Sequence, residues 1–580
     1  MLDNMKKIGP FTVILLLCLT SSAWTATYYI DPAGTNRPGC GLAPGASACA
    51  TLSYLVVTQG HGSHDCSIGD SIHIGAGSYT DNTAVGHVGL NWSILGAGKG
   101  TTTITTNKSK YITLQTPVPV VNGNNEISGF NLVASAANSN GILSSGRNNQ
   151  KIHDMSFTSW STENMSDSGS ALTVDGKYGA NDSTGGFYKT ICAGGEPSCT
   201  WCQGVGAIHT APLSTDWATG VLIYNNTFTN SKLMINVLRG AMIYNNTFNN
   251  ANETNISGIG HTSFWNSGNH IYNNVLNMNS LATTTIAIEL WGIGGDTKFY
   301  NNTINGWSSF VGGDIGKVAT PYSLEIYGNN FYIAKAMTGA LAQVEVNGNS
   351  SSLSNVIIYK NYFASSAIDR GCSCALGLWA RTTLSNVFVF YNVFGTNWWD
   401  GANRDLVEVE DIGAGATLTN INIFNNVFDG GANRIGGLVY QQNSSSILTN
   451  TTWVNNLFMN MYGDVKLSGS SGMAGHVSNH NYSYNLGAGG SWGAVRGSYW
   501  STNSNNVNTS TSPGIIGSGN KPDPYYRLTS GSPCIEAGTN VGLTSDYGGT
   551  TVPHGTAPDI GAFEWTGAIP GSPSGLRLVE

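Results

Sequence analysis

The sequence predicts an all-β solenoid, a chain wound into stacked parallel coils, and three observations predict it. One short phrase recurs ten times between Val221 and Leu486, as in Ile223-Tyr-Asn-Asn-Thr-Phe228, Ile243-Tyr-Asn-Asn-Thr-Phe248 and Phe299-Tyr-Asn-Asn-Thr-Ile304. Its fourth place is always asparagine: Asn226, Asn246, Asn274, Asn302, Asn329, Asn361, Asn392, Asn426, Asn456 and Asn485. The spacings are 20, 28, 28, 27, 32, 31, 34, 30 and 29 residues, the period of a repeat architecture. Within each copy a large apolar residue stands two places before and two after the asparagine, which is the alternation of a strand.

If each copy is one coil, like residues stack at the strand spacing of about 4.8 Å. A buried amide at a turn then donates to one neighbouring coil and accepts from the other. Asparagine also tolerates the left-handed backbone of a tight turn. The asparagine one place earlier, such as Asn225, is expected to point outward and to be replaceable. With this ladder the segment resembles the pectate lyase-like superfamily, which implies a right-handed parallel β-helix.

The remaining elements follow in chain order. Residues 1–23 read as a secretory signal: Lys6 and Lys7, the apolar run Phe11 to Leu19, then Ser21-Ser-Ala23. That run is too short to span a bilayer, so the mature chain is expected to be secreted or held at the cell surface, as a monomer. Residues 24–84 are expected to form an N-terminal cap and first coil, with a strand at Thr27-Tyr-Tyr-Ile30 and a helix near Leu52 to Thr58. Such a cap covers the open end of a solenoid. Residues 85–515 are expected to form the β-helix, interrupted by an insertion at 176–215. Residues 516–566 form a closing region, and 567–580 a linker-like tail. Asp523-Pro-Tyr-Tyr-Arg-Leu528, Asp546-Tyr-Gly-Gly549 and Asp559-Ile-Gly-Ala-Phe-Glu-Trp565 are similar to the closing regions of secreted bacterial β-helix proteins. Their acidic residues are expected to close the last coil through turns and short salt links.

Composition narrows the function. Charged residues make up 10% of the chain and the net charge is −8, which disfavours a nucleic-acid partner. Ten cysteines suit an oxidising compartment. Cys40 and Cys49 enclose a short loop, and Cys199-Thr-Trp-Cys202 lacks the second ligand pair of a zinc site.

Candidate function comes from the other strand of each coil. Core-facing residues are Ile286, Ile288 and Leu290, then Val344 and Val346, Leu376 and Leu378, Val407 and Val409, and Val465 and Leu467. Alternation sends the residues between them outward. The resulting stripe reads Glu289, Trp291, Glu345, Asn347, Trp379, Arg381, Glu408, Glu410 and Lys466, with Gln441 chosen in the coil whose phase is ambiguous. Aromatic faces with carboxylates and amides suit an extracellular polysaccharide. Arg381 is expected between the carboxylates of Glu345 and Glu408. Asp400, Arg404 and Asp405, beside Trp398 and Trp399, are expected in a neighbouring turn.

The resemblance implies lyases of acidic polysaccharides, in which Glu345, Glu408 and Glu410 would hold Ca²⁺ and Arg381 would take the proton. A hydrolase would instead use a pair of carboxyls about 6.5–9.5 Å apart for inversion, here Glu345 and Glu408. The third reading is a non-catalytic adhesin or structural β-helix, and a focused charge cluster with shifted acidities separates it from the first two.

Overall fold

A computed structural model describes residues 26–567 apart from 60–69, 116–119, 137–140, 161–169, 177–216, 250–258, 264–265, 278–285, 292, 313–322, 334–341, 349–351, 366–373, 396–403, 431–433, 470–471 and 488–499. The signal segment, the insertion with its three cysteines, and the tail beyond 567 lie outside the described residues. The chain falls into two compact units, 1–247 and 248–580. Among the described residues every ladder between successive coils is parallel, as in a right-handed parallel β-helix. No helix among the described residues is long and apolar enough to cross a membrane.

In the first unit, strand Thr27–Ile30 pairs with Ser71–Ile74, which pairs with Ser93–Gly96. A short helical segment, Leu52 to Thr58, buries Leu55 and Val56 against this end. Asp81 fixes its start, accepting from the Ser53 backbone N–H (2.8 Å) and hydroxyl (2.5 Å) and from the Tyr111 hydroxyl (2.8 Å). Cys40 and Cys49 form a disulfide in the preceding loop.

In the second unit each coil carries three strands. A front strand such as Leu353–Tyr359 leads into the asparagine turn, a short strand such as Tyr362–Ser365 follows, and a third such as Cys374–Ala380 completes the coil. The core-facing residues expected in the third strands are buried wherever their side chains are described, from Ile288 to Leu467. Short strands stack phenyl rings inside: Phe331, Phe363, Phe394, Phe428 and Phe458 lie 4.7–5.1 Å apart in sequence. Gly437 gives room for Trp453, whose Cη2 would stand 2.1 Å from a Cβ there.

The asparagines form the expected ladder within each unit. Asn302 donates its backbone N–H (2.9 Å) and side-chain amide (3.0 Å) to Asn329 Oδ1. The same amide reaches Ile271 O (3.0 Å) in the preceding coil, and Asn302 Oδ1 accepts both donors of Asn274. Two corrections apply. Asn485 is not a rung: it is exposed and bonds Asn460, while Asn456 hands on to Asn481, and Asn481 to Asn506. The register fixes this, since Leu457 pairs with Tyr482 and so places Asn481 beside Asn456. Nor is the preceding asparagine a bystander. Asn225, Asn245, Asn273, Asn301, Asn425, Asn455 and Asn505 all take φ of 51–57°, the left-handed turn that lets the next residue point inward.

The closing region packs along the flank of the coils instead of over the last one. The outward column Val393, Val427, Leu457 and Tyr482 meets Tyr526, Leu528, Cys534, Ile560 and Phe563 in one buried cluster. Its carboxylates accept backbone N–H groups, as expected of turn-closing acids. Asp546 takes those of Thr550 and Glu564, Asp559 those of Glu536 and Trp565, and Glu564 those of His554 and Asp559. Arg527 clamps Asp523 bidentately at 2.5 and 2.8 Å.

Asn392→Ala is expected to destabilise the second unit strongly, because each buried partner left unmade costs about 1–3 kcal/mol. Asn425→Ala should cost about 1–2 kcal/mol from the left-handed backbone alone, and Asn425→Gly should recover that part. Equal melting temperatures for wild type and Asn392→Ala would refute the ladder's role.

Candidate functional site

Three consecutive third-face strands, Ala342–Gly348, Cys374–Ala380 and Arg404–Asp411, assemble a polar cluster. Their register sets Glu345 beside Gly377 and Gly377 beside Glu408, with Asn347, Trp379 and Glu410 in the adjoining row. Gly377 explains the geometry. A Cβ there would lie 2.6 Å from Trp379 Cε2, so the indole lies back over the bare backbone between the two glutamates' strands. Trp379 is accordingly 2% exposed, and its Nε1 donates to Glu408 Oε2 at 3.2 Å. It packs with Ala342, Cys374 and Ile412.

Glu408 and Glu410 share a hydrogen bond, and burial pushes both carboxyls up, to about 8. Charge repulsion adds to this, from Asp405 on Glu408 and from Glu408 and Asp411 on Glu410. Glu408 receives Trp379 Nε1, and the two carboxyls hold a proton between them as a pair. Across the tryptophan, the half-buried Glu345 accepts from Asn347 Nδ2 at 3.0 Å.

Of the sequence-chosen residues, Glu345, Asn347, Trp379, Glu408 and Glu410 are thus brought together. Arg381 is not among them. The strand ends at Ala380, and Arg381 stands exposed in the following bend with its N–H on Gly348 O. Its backbone lies four residues from Gly377, about 13 Å along an extended chain, outside the row of Glu345 and Glu408. Gln441 also leaves the stripe: it follows the strand, is buried, and donates to Ser446 O at 2.7 Å. Leu438 and Tyr440 hold the positions beside Glu408 and Glu410 instead. Lys466 is half-buried in the Glu408 row, beyond Leu438. Glu289 and Trp291 belong to strand Ile286–Trp291, with their side chains outside the described residues. One coil stands between Glu289 and Glu345, because strand Trp307–Gly312 inserts Ser309. Asp405 is buried near Glu408, whereas Asp400, Trp398, Trp399 and the Arg404 side chain lie outside the described residues.

Glu345, Glu408 and Glu410 do not form a calcium cage. Among the described residues no group of three or more His, Cys, Asp or Glu is arranged to hold a metal ion. Glu408 already accepts from Trp379 Nε1. Sequence reasoning missed Gly377, although a glycine inside a strand signals a close approach.

No known protein family matches the chain, and no curated protein does. Several solved structures are similar in fold. The Azotobacter vinelandii mannuronan C-5 epimerase AlgE6 A-module is 11% identical, with a TM-score of 0.32 over 77% of this chain and 92% of that one. Pectate lyase Pel9A is 14% identical, at 0.30 over 94% and 98%. The catalytic unit of a GH87 α-1,3-glucanase from Streptomyces thermodiastaticus is 11% identical, at 0.35 over 84% and 70%. At such identities and scores the likenesses say nothing of this chain's chemistry.

Gly377→Ala should cost about 1–3 kcal/mol through overpacking. The cost should shrink in a Trp379→Ala background if the indole is what the new methyl meets. Additive effects in that cycle would show the indole elsewhere. The acid pair also predicts a pH dependence. Folded-state acidities raised above the ordinary value of about 4.5 favour the protonated fold, so their contribution is intact below that pH. It is lost as pH rises towards about 8. Asp546, Asp559 and Glu564 are raised by burial and act with the same sign. The test is therefore the difference between wild type and Glu410→Gln, whose chemical-denaturation stability should fall less between pH 5 and 8.

Proposed function

We propose that the protein is a secreted enzyme that binds an extracellular polysaccharide on this face and cleaves it by acid-catalysed hydrolysis. The buried Glu408–Glu410 pair carries the reading, because a carboxyl that keeps its proton near neutrality can act as a general acid. Glu410 is the more accessible of the two and donates. Glu408, bonded to Trp379, lies deeper in the pair and is raised with Glu410 by burial.

In the proposed step Glu410 gives its proton to the glycosidic oxygen as the bond from that oxygen to the anomeric carbon breaks. Water adds to the anomeric carbon while Glu345 takes the water's proton. Exchange with solvent then restores both groups. Glu345 and Glu410 stand two strand spacings and one row apart, about 12 Å at the backbone, which their side chains would narrow towards the span of an inverting pair. Trp379 positions Glu408 through its indole N–H, and Asn347 positions Glu345 through its amide. The disulfide in the N-terminal loop and the leader-like start favour export.

The test is a panel of neutral and acidic polysaccharides. New reducing ends without the ultraviolet absorbance of an unsaturated product are expected. Glu410→Gln should lower turnover roughly 100-fold or more at an unchanged melting temperature. In wild type, activity should fall as pH rises through the raised range of the pair. An unsaturated product would overturn hydrolysis, and binding without turnover would leave an adhesin.

A further inference from the structure

The two flanks of the acid pair differ. Towards Glu345, the coil next to the acids carries Gly377 and Trp379. That indole is 2% exposed with its Nε1 on Glu408, so it offers a sugar no open face. On the other flank, strand Arg434–Tyr440 sets Leu438 beside Glu408 and Tyr440 beside Glu410. Both are half-buried, whereas Val439 between them faces the core. An aliphatic side chain and an aromatic ring thus stand outward one strand spacing, about 5 Å, past the acids. The next coil turns polar again, with Lys466 and Ser468 in the same two rows. The place of Tyr440 is fixed from two directions. Gly436 and Gly437 lay its strand's backbone on core rings, since a Cβ would meet Phe458 at the one and Trp453 at the other. Asp411, the residue after Glu410, is 0% exposed and accepts the backbone N–H groups of Gln442 and Asn443 just past Tyr440. The strand of the acids is therefore tied to the turn that follows the tyrosine.

We propose that Tyr440 is the platform for the leaving-group sugar, so that the glycan lies with its reducing end towards the coil of Lys466. This rests on the reading of Glu410 as the acid and Glu345 as the base. In an inverting displacement, water attacks the anomeric carbon from the side opposite the departing oxygen. Glu345, which takes the water's proton, stands two coils before Glu410. The departing oxygen therefore points away from Glu345 and past Glu410. The sugar on that oxygen comes over the next coil, where Leu438 and Tyr440 lie. A pyranose packs its C–H face on an aromatic ring, and among the described side chains of these coils Tyr440 is the aromatic left partly open. The two aromatic residues of the face then have separate duties: Trp379 positions Glu408, and Tyr440 binds the glycan.

The experiment uses the full chain, a panel of polymers (a β-glucan, a galactomannan, a dextran and polygalacturonate), and oligosaccharides of the one cleaved, tagged at the reducing end with a fluorescent amine. Tyr440→Ala is expected to raise KM about tenfold, with kcat within about threefold and the melting temperature unchanged. Tyr440→Phe, which keeps the ring, should stay within about twofold of wild type. On the tagged oligosaccharides Tyr440→Ala should move the cut towards the tag, because the weakened leaving-group side no longer draws sugars past the acid. A cut that stays in place or moves away from the tag overturns the inference and leaves the hydrolase reading standing. So does a loss of activity that only follows a lower melting temperature, which would make the tyrosine structural. If wild type cleaves none of these polymers, the hydrolase reading itself falls, and this inference with it.

Discussion

Everything in the second unit hangs on one turn, built by two adjacent residues with opposite duties. The first takes the left-handed backbone, and the second, always asparagine, points inward and bonds both neighbouring coils. Asn301 and Asn302 show the division: φ of 55° at the one, and bonds to Asn274, Ile271 and Asn329 at the other. A buried amide with all its valences met holds the coils in register. Register in turn decides which outward side chains become neighbours. Where the first duty falls to Gly328 the backbone is at ease. Where it falls to Lys360, Tyr391 or His480 the surroundings must hold a less willing residue, as in the burial of Tyr391 beneath the closing region.

That register produces two unlike outward surfaces. On the short strands, the residue after the ladder asparagine varies among threonine, valine and asparagine as far as Asn330 and is tyrosine, valine or leucine from Tyr362 onward. The change marks where the closing region lies down, and its carboxylates then serve as caps for backbone N–H groups. On the third strands, the same stacking lays Glu345, Gly377 and Glu408 in one row and Asn347, Trp379 and Glu410 in the next. Acids in the first setting are consumed by structure. Those in the second retain a proton that no backbone group claims, which is why the candidate chemistry belongs there.

The sequence by itself determined the coils, because period and alternation are local properties that survive without knowledge of contacts. It also determined the core residues of the third strands and the ladder as far as Asn456. It misjudged the end, since Asn485 sits in a phrase of the right composition four residues out of phase with Asn481. Five members of the outward stripe were legible from alternation alone. Arg381 was not excluded, because nothing local says that the strand bends after Ala380. Gln441 was preferred to Tyr440 for a like reason: two glycines, Gly436 and Gly437, erase the apolar signal that sets the phase. Only the tertiary structure decided that Gly437 lies under Trp453 and that Gly377 admits the Trp379 indole. It alone decided that Glu408 and Glu410 are raised together by burial beside Trp379 and that Gln343 is buried without a partner. Those facts depend on atoms from different coils meeting at hydrogen-bond distance, and a one-dimensional pattern carries no distance between coils.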